Sequence, residues 1–195
     1  MPDTVTRRSM LQLSMGLLTA IGHAPSALSR TFDAPPVFET ARSQFTMIEP
    51  ARKLSPVRLR KADGAVGVLE PRSDAVTLIS IWATWCANCR EDLRSLAALH
   101  RRSGKTVRIL TISTDKLDRE IVAQFMRELG VDDLPTFLDP LGEVAGPAPI
   151  HGNLSSALGM PITYLVQPDA TIAGYITGSA DWTSEAAIRL LRYYQ

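Results

Sequence analysis

The sequence predicts an α/β fold, and two observations carry that prediction. First, Ala75–Trp82 and Val107–Ser113 are continuous apolar runs with β-branched residues, the pattern of strands buried on both faces. Second, each run is followed by a segment with apolar residues at helical spacing, so the order is strand, helix, strand, helix. That order argues for a right-handed parallel crossover. A predicted β-hairpin and a closing helix complete the chain.

From the N-terminus, Asp3–Arg8 is polar and ends in Thr6-Arg7-Arg8-Ser9. An apolar run of 12 residues, Met10–Ile21, follows, and then the small residues Ala24, Ser26, Ala27 and Ser29. This is the three-part layout of a signal peptide, so residues 1–29 are read as a signal or membrane-targeting segment. The paired arginines before Ser-Met-Leu resemble a twin-arginine export signal. The apolar run is well short of the ~20 residues a membrane-spanning helix needs.

Residues 30–44 read as an extended linker, and 45–195 as one domain. Pro35, Pro36, Pro50 and Pro56 break up the start, leaving Phe45–Ile48 as a candidate edge strand. Val57–Leu59 and Ala65–Leu69 flank the turn residues Lys61-Ala62-Asp63-Gly64, the signature of a hairpin. From Ala87 a helix is expected, with Leu93, Leu96, Ala97 and His100 on one stripe and Gly104 at its end. Asp118 can cap a second helix through Leu129, with Ile121, Val122, Phe125 and Leu129 inward and Gly130 just past the end. Thr136–Leu138 is a short strand, Gly142–Gly152 a loop and Asn153–Leu158 a short helix. Ile162–Val166 and Thr171–Ile176 form a hairpin around Gln167-Pro168-Asp169-Ala170. The final helix spans Ser184–Tyr194, with Ala187, Ile188, Leu191 and Tyr194 inward.

Composition narrows the function. With 45% hydrophobic and 21% charged residues the chain can build an ordinary core. A net charge of +1 without a long basic run gives no reason to expect a nucleic-acid partner. The two cysteines sit three apart, which excludes a multi-disulfide scaffold and a cysteine-rich zinc site. His23, His100 and His151 make no metal-ligand spacing, so no metal is expected.

The cysteine pair lies in Trp82-Ala83-Thr84-Trp85-Cys86-Ala87-Asn88-Cys89-Arg90, where a buried strand ends and a helix begins. The free N–H groups and dipole of a helix start favour a thiolate. Cys86 is expected partly exposed at the mouth, and Cys89 one turn inside and more buried. The outer thiolate would attack a substrate disulfide, and the inner thiol would resolve the mixed disulfide. A fixed structural clip is the other reading of a C-x-x-C pair; the strand-to-helix setting argues for redox exchange.

The stretch Leu78–Arg90 closely resembles the active-site segment of the TlpA/ResA-like branch of the thioredoxin superfamily, where the motif reads W-A-T-W-C-x-x-C-R. Leu158-Gly159-Met160-Pro161-Ile162 matches that branch's second landmark, a cis proline opening the hairpin. Gly178-Ser179-Ala180-Asp181-Trp182 resembles the end of TlpA proteins. The likeness covers roughly residues 45–195.

The resemblance implies a thioredoxin fold, a central mixed sheet flanked by helices, with an N-terminal β-hairpin extension. It implies a thiol-disulfide reductase that is periplasmic, or membrane-anchored facing the periplasm, and that serves cytochrome c maturation or copper-centre assembly of cytochrome oxidase. Cys86 and Cys89 would be the catalytic, redox-active disulfide pair, and no cofactor is expected. Pro161 would aim the Met160 backbone at an incoming chain, and Trp85 would offer apolar contact. The client would be a disulfide-containing protein such as apocytochrome c, a copper chaperone or an oxidase subunit. A membrane thiol reductant of DsbD/CcdA type would restore the dithiol.

Three departures stand out. Asn88 replaces the usual proline before the second cysteine, and Arg94 replaces a proline that often kinks the first helix. Ser80 occupies the place of thioredoxin's buried aspartate, so proton handling is expected to fall to water or Glu91. Trp82 and Trp182 are read as core residues, Met160 as a packing or peptide-contact residue, and His151 as solvated. The alternative function is a copper-binding assembly factor using the same two thiolates, which suit Cu(I). Against it, Sco-type copper chaperones use C-x-x-x-C with a distant histidine.

Overall fold

The computed structural model describes residues 34–40, 43–151 and 153–195. The predicted leader, residues 1–29, and the first part of the linker lie outside the described residues. Eight strands and three helices follow in the order β1 (Thr46–Lys53), β2 (Val57–Lys61), β3 (Val66–Leu69), β4 (Val76–Trp82), α1 (Ala87–Ser103), β5 (Val107–Ser113), α2 (Arg119–Leu129), β6 (Thr136–Leu138), β7 (Ile162–Val166), β8 (Thr171–Thr177) and α3 (Glu185–Tyr193). All strands join one mixed sheet ordered β1-β8-β7-β4-β5-β6-β2-β3.

The centre of the sheet is β4, bonded in parallel to β5 from Val76↔Val107 to Trp82↔Ser113 and antiparallel to β7 from Thr77↔Val166 to Ile81↔Ile162. Every residue of β4 is buried, which its unbroken apolar run required. Alternate residues face opposite ways. Val76 and Leu78 join Val107 and Ile109 in one cluster with the inner faces of α1, α2 and α3. Ile79 and Ile81 join Leu110 and Ile112 in a second, covered by Val144, Ala145 and Leu154 of the long segment before β7. Helices thus seal one face and an irregular segment seals the other.

Most elements fall where the sequence places them, and the departures have local causes. Residues 153–158 form turns and no helix. The Tyr164 hydroxyl accepts from Ser155 N–H (2.9 Å) and donates to Ser155 C=O (2.6 Å), so the groups a helix would pair internally are taken by a side chain. Asn153 also has φ +59°, outside the right-handed helical region. On α2 the buried residues are Val122 and Met126, while Ile121 is turned outward and Phe125 is only partly covered. Asp118 holds the N-cap position without a side-chain cap; only its carbonyl serves, accepting from Ile121 N–H (3.0 Å). Gly130 does end the helix in the left-handed conformation, at φ +74°. Leu190 joins Ala187 and Leu191 on the buried side of α3.

The edge strand predicted from Phe45–Ile48 runs from Thr46 to Lys53, with a register shift between Met47 and Arg52, the segment that contains Pro50. Just before it, Phe38 is buried, its ring 5.1 Å from Trp182. Part of the stretch read as linker is therefore pinned to the core.

β1 sits closely on β8 because position 174 is glycine. A Cβ there would stand 2.4 Å from the Thr46 carbonyl oxygen and 2.5 Å from Phe45 Cζ. Gly174→Ala should push β1 off and cost about 1–3 kcal/mol of stability. Urea unfolding measures the loss, and hydrogen exchange should speed up at Thr46 and Met47. An unchanged midpoint would contradict close seating of this edge.

Candidate active site

The site begins with the exit of β4. β5 pairs with that strand up to Trp82 and β7 up to Ile81, so the direction in which the chain leaves Trp82 is fixed. A tight turn follows: Cys86 N–H donates to Ala83 C=O at 3.1 Å, and Cys89 N–H donates to Cys86 C=O at 3.2 Å. Cys86 is the N-cap of α1, with extended backbone (φ −83°, ψ 108°), and no side chain caps the helix. The first turn carries no acidic residue either. The partial positive charge of the helix start is therefore left for the sulfur at its mouth.

Cys86 and Cys89 form a disulfide with Sγ–Sγ 2.13 Å and Cα–Cα 5.3 Å. The expected asymmetry is present but slight: Cys86 is 7% exposed and Cys89 fully enclosed. Cys86 therefore offers only a narrow approach, less open than the sequence reading has it. Beside it Trp85 is 70% exposed, whereas Trp82 is enclosed and stacks on Phe125 at 5.5 Å. The Arg90 guanidinium lies 4.9 Å over the same Phe125 ring, a cation–π contact that ties the first turn of α1 to α2.

The Met160–Pro161 bond is cis, at the position the sequence marks. The Ile81↔Ile162 register puts Pro161 beside the end of β4, and so beside the turn that carries Cys86. Gly178 N–H holds the Pro161 carbonyl at 2.8 Å. Met160 packs against both core clusters, and its Sδ takes a 3.8 Å contact from the Thr114 hydroxyl. His151 is solvent-exposed in the loop before β7 and takes no part in the site.

Two carboxylates in this region are not singled out by the sequence. Asp115 is buried at the end of β5. It accepts from Thr84 N–H (2.8 Å), Thr84 Oγ1–H (2.7 Å) and Ser113 Oγ–H (2.7 Å), and so clamps the turn leading to Cys86. Asp92 is fully buried, one helical turn past Cys89 on the same side of α1. It accepts from Ser80 Oγ–H (3.1 Å), Thr163 Oγ1–H (3.3 Å), Ala180 N–H (3.2 Å) and Trp182 Nε1–H (3.0 Å). Burial pushes its carboxyl up from 3.8 to about 6, and these four donors pull the other way without prevailing. The chain therefore has a buried carboxyl beneath its cysteine pair, supplied from α1 and hydrogen-bonded to Ser80. Glu91, the carboxylate named from the sequence, is exposed and accepts from Ser179 Oγ–H at 3.2 Å. The signal for Asp92 lay in the spacing: an acidic residue on the apolar stripe shared by Cys89, Leu93 and Leu96.

Solved structures share this architecture. A putative thiol:disulfide interchange protein DsbE from Chlorobium tepidum superposes with TM-score 0.60 at 17% identity, covering 75% of this chain and 98% of that one. A DsbF homologue from Corynebacterium diphtheriae gives 0.63 at 16% identity, over 82% and 99%. A secreted Mycobacterium tuberculosis disulfide oxidoreductase homologous to E. coli DsbE gives 0.51 at 14% identity, over 69% and 93%. The fold is thus thioredoxin-like, as the resemblance implied. A C-x-x-C pair at the strand-to-helix junction of this fold defines the class, the thiol-disulfide oxidoreductases of the thioredoxin superfamily. Within it, residues 52–175 match the family model described as AhpC/TSA, and the chain belongs to that family.

Because burial raises the Asp92 carboxyl, the native state favours its protonated form. The stability this contributes is present below about pH 4 and is lost as pH rises through about 6. Asp92→Asn cannot ionise and should lack this loss. Relative to the variant, the wild type should weaken by about 3 kcal/mol between pH 4 and pH 8. Denaturant unfolding of both proteins across that range measures the difference. Parallel pH profiles would show that the folded protein does not raise the Asp92 carboxyl above its unfolded value.

Proposed function

We propose that this chain is a thiol-disulfide reductase acting outside the cytoplasm on cysteine pairs of client proteins, in cytochrome c maturation or copper-centre assembly of cytochrome oxidase. One observation carries the reading: a C-x-x-C disulfide at an uncapped helix start, with one sulfur reachable and the other sealed. A structural clip has no need of that arrangement. The extracytoplasmic setting is supported by the predicted leader and by likeness to a protein described as secreted.

In the reduced protein the Cys86 thiolate attacks one sulfur of a client disulfide. A client thiolate leaves and a mixed disulfide forms. The Cys89 thiol then loses its proton and attacks Cys86 Sγ, which expels the second client thiolate. The client gains two electrons and this chain ends with the Cys86–Cys89 disulfide. Asp92, one turn below Cys89 and with a carboxyl raised to about 6, is the acceptor for the Cys89 proton. Its buried position keeps that proton out of bulk water.

The client approaches over Trp85 and the Met160–Pro161 bond. Among the described residues, the Met160 backbone makes no hydrogen bond, so an extended client segment can pair with it as an added strand. Trp85 supplies apolar area beside the sulfur. A membrane thiol reductant of DsbD/CcdA type then returns the pair to the dithiol.

Thiol trapping tests the two roles. Cys89→Ser should accumulate mixed disulfides with clients in the host, and Cys86→Ser should form none. Adducts from Cys86→Ser alone would reverse the assignment. The direction of transfer is tested by equilibration against glutathione buffers. Neither Ala87 nor Asn88 places a charge between the sulfurs, and Arg90 is engaged with Phe125, so thiolate stabilisation stays moderate. The potential should lie nearer ~−270 mV than ~−120 mV, and a value above about −170 mV would point to an oxidase or isomerase.

A further inference from the structure

We infer that the protein carries a second site, a cationic cavity at the opposite end of α1 from the disulfide, which binds a small ligand through an oxyanion, either carboxylate or phosphate. The inference does not rest on the redox reading.

The cavity follows from the sheet. β6 is only three residues long and pairs with Thr111–Ser113 of β5. The first half of β5, Val107–Leu110, thus has no strand on that side. The β2–β3 hairpin rejoins the sheet beyond β6 and leaves a gap of about 370 Å3. That volume falls within the range of small-molecule sites. Gly67 keeps one wall open: a Cβ there would stand 3.1 Å from both Lys61 Cε and Phe137 Cε1. His100 and Gly104 line it from the end of α1, about 17 Å along the helix from Cys89.

Three cations, Lys61, Arg72 and Arg108, line this gap together with His100, and no carboxylate does. Lys61 and Arg72 are neutralised from outside it, by Asp63 and Asp74. Arg108 has no ion-pair partner among the described residues, so its guanidinium charge is uncompensated. Arg108 stands on the half of β5 that β6 does not cover, so it lies in the wall of the gap. A planar fork of guanidinium donors with flanking cations matches carboxylate or phosphate oxygens.

The test titrates inorganic phosphate and, separately, citrate into the oxidised full chain, with ionic strength held constant by sodium chloride. Binding is followed by NMR of the arginine Nε–Hε resonances and by melting temperature. A saturable shift at Arg108, with a dissociation constant on the order of 1 mM or tighter, is expected from at least one anion. The anion that saturates identifies the preferred oxyanion. Arg108→Gln should weaken binding about tenfold, while Arg58→Gln, an exposed cation outside the cavity, should not. If Arg108→Gln fails to fold, Lys61→Gln should weaken binding several-fold in its place. Shifts that grow linearly with both anions, or equal losses in Arg58→Gln, would overturn the site.

Discussion

The double-sided pairing of β4 is the constraint on which the redox end of the molecule depends. A strand bonded on both edges and buried on both faces cannot slide, twist or fray without breaking two ladders. The turn that leaves it therefore starts from a fixed point and a fixed direction. Asp115 takes up the remaining freedom by holding both the N–H and the hydroxyl of Thr84. Cys86 is thus delivered to the start of α1 by main-chain geometry. The same register brings Pro161 to the neighbouring strand's entrance, so the sulfur and the cis bond share one end of the sheet.

Beneath the disulfide, desolvation and hydrogen bonding compete over Asp92. Four donors converge on its two oxygens, and bonds to a charged group are each worth about 1.5–3 kcal/mol. Stripping a carboxylate of water costs several kcal/mol even after the protein relaxes. Burial wins, and the carboxyl settles near 6, close to where a proton acceptor is most useful at neutral pH. The same network joins α1, β4, β7 and the segment before α3. Trp182, whose ring also packs on Phe38, is therefore both a core residue and a ligand of that carboxyl.

The two faces of the sheet are built differently, and the difference shapes the surface. Helices cover one side with long apolar stripes. The other side relies on residues 139–161, whose backbone groups have few helical partners. Asp139 accepts from the N–H groups of Glu143, Val144 and Ala145, and the Tyr164 hydroxyl serves Ser155. Side chains thus stand in for secondary structure there. The shortness of β6 is a third consequence of irregular construction, since it opens the cationic gap beside β5.

Taken alone, the sequence determined what depends on local pattern. The central strands followed from unbroken apolar runs, the three helices from a spacing of 3.6, and the hairpins from Gly and Asp at turns. The redox pair followed from C-x-x-C at a strand-to-helix junction. The sequence misjudged residues 153–158 because Tyr164, which claims their backbone, lies outside that window. It turned Ile121 inward because an apolar residue on a helix carries no mark of which flank meets the core. Only the tertiary structure decided that Asp92 serves beneath the cysteines in place of Glu91. The two are neighbours in sequence and alike in chemistry, but they point about 100° apart on the helix. One faces Ser80, Thr163 and Trp182, gathered from across the chain, and the other faces water. Burial and pairing of a charge are sums over distant residues, and no local window contains those sums.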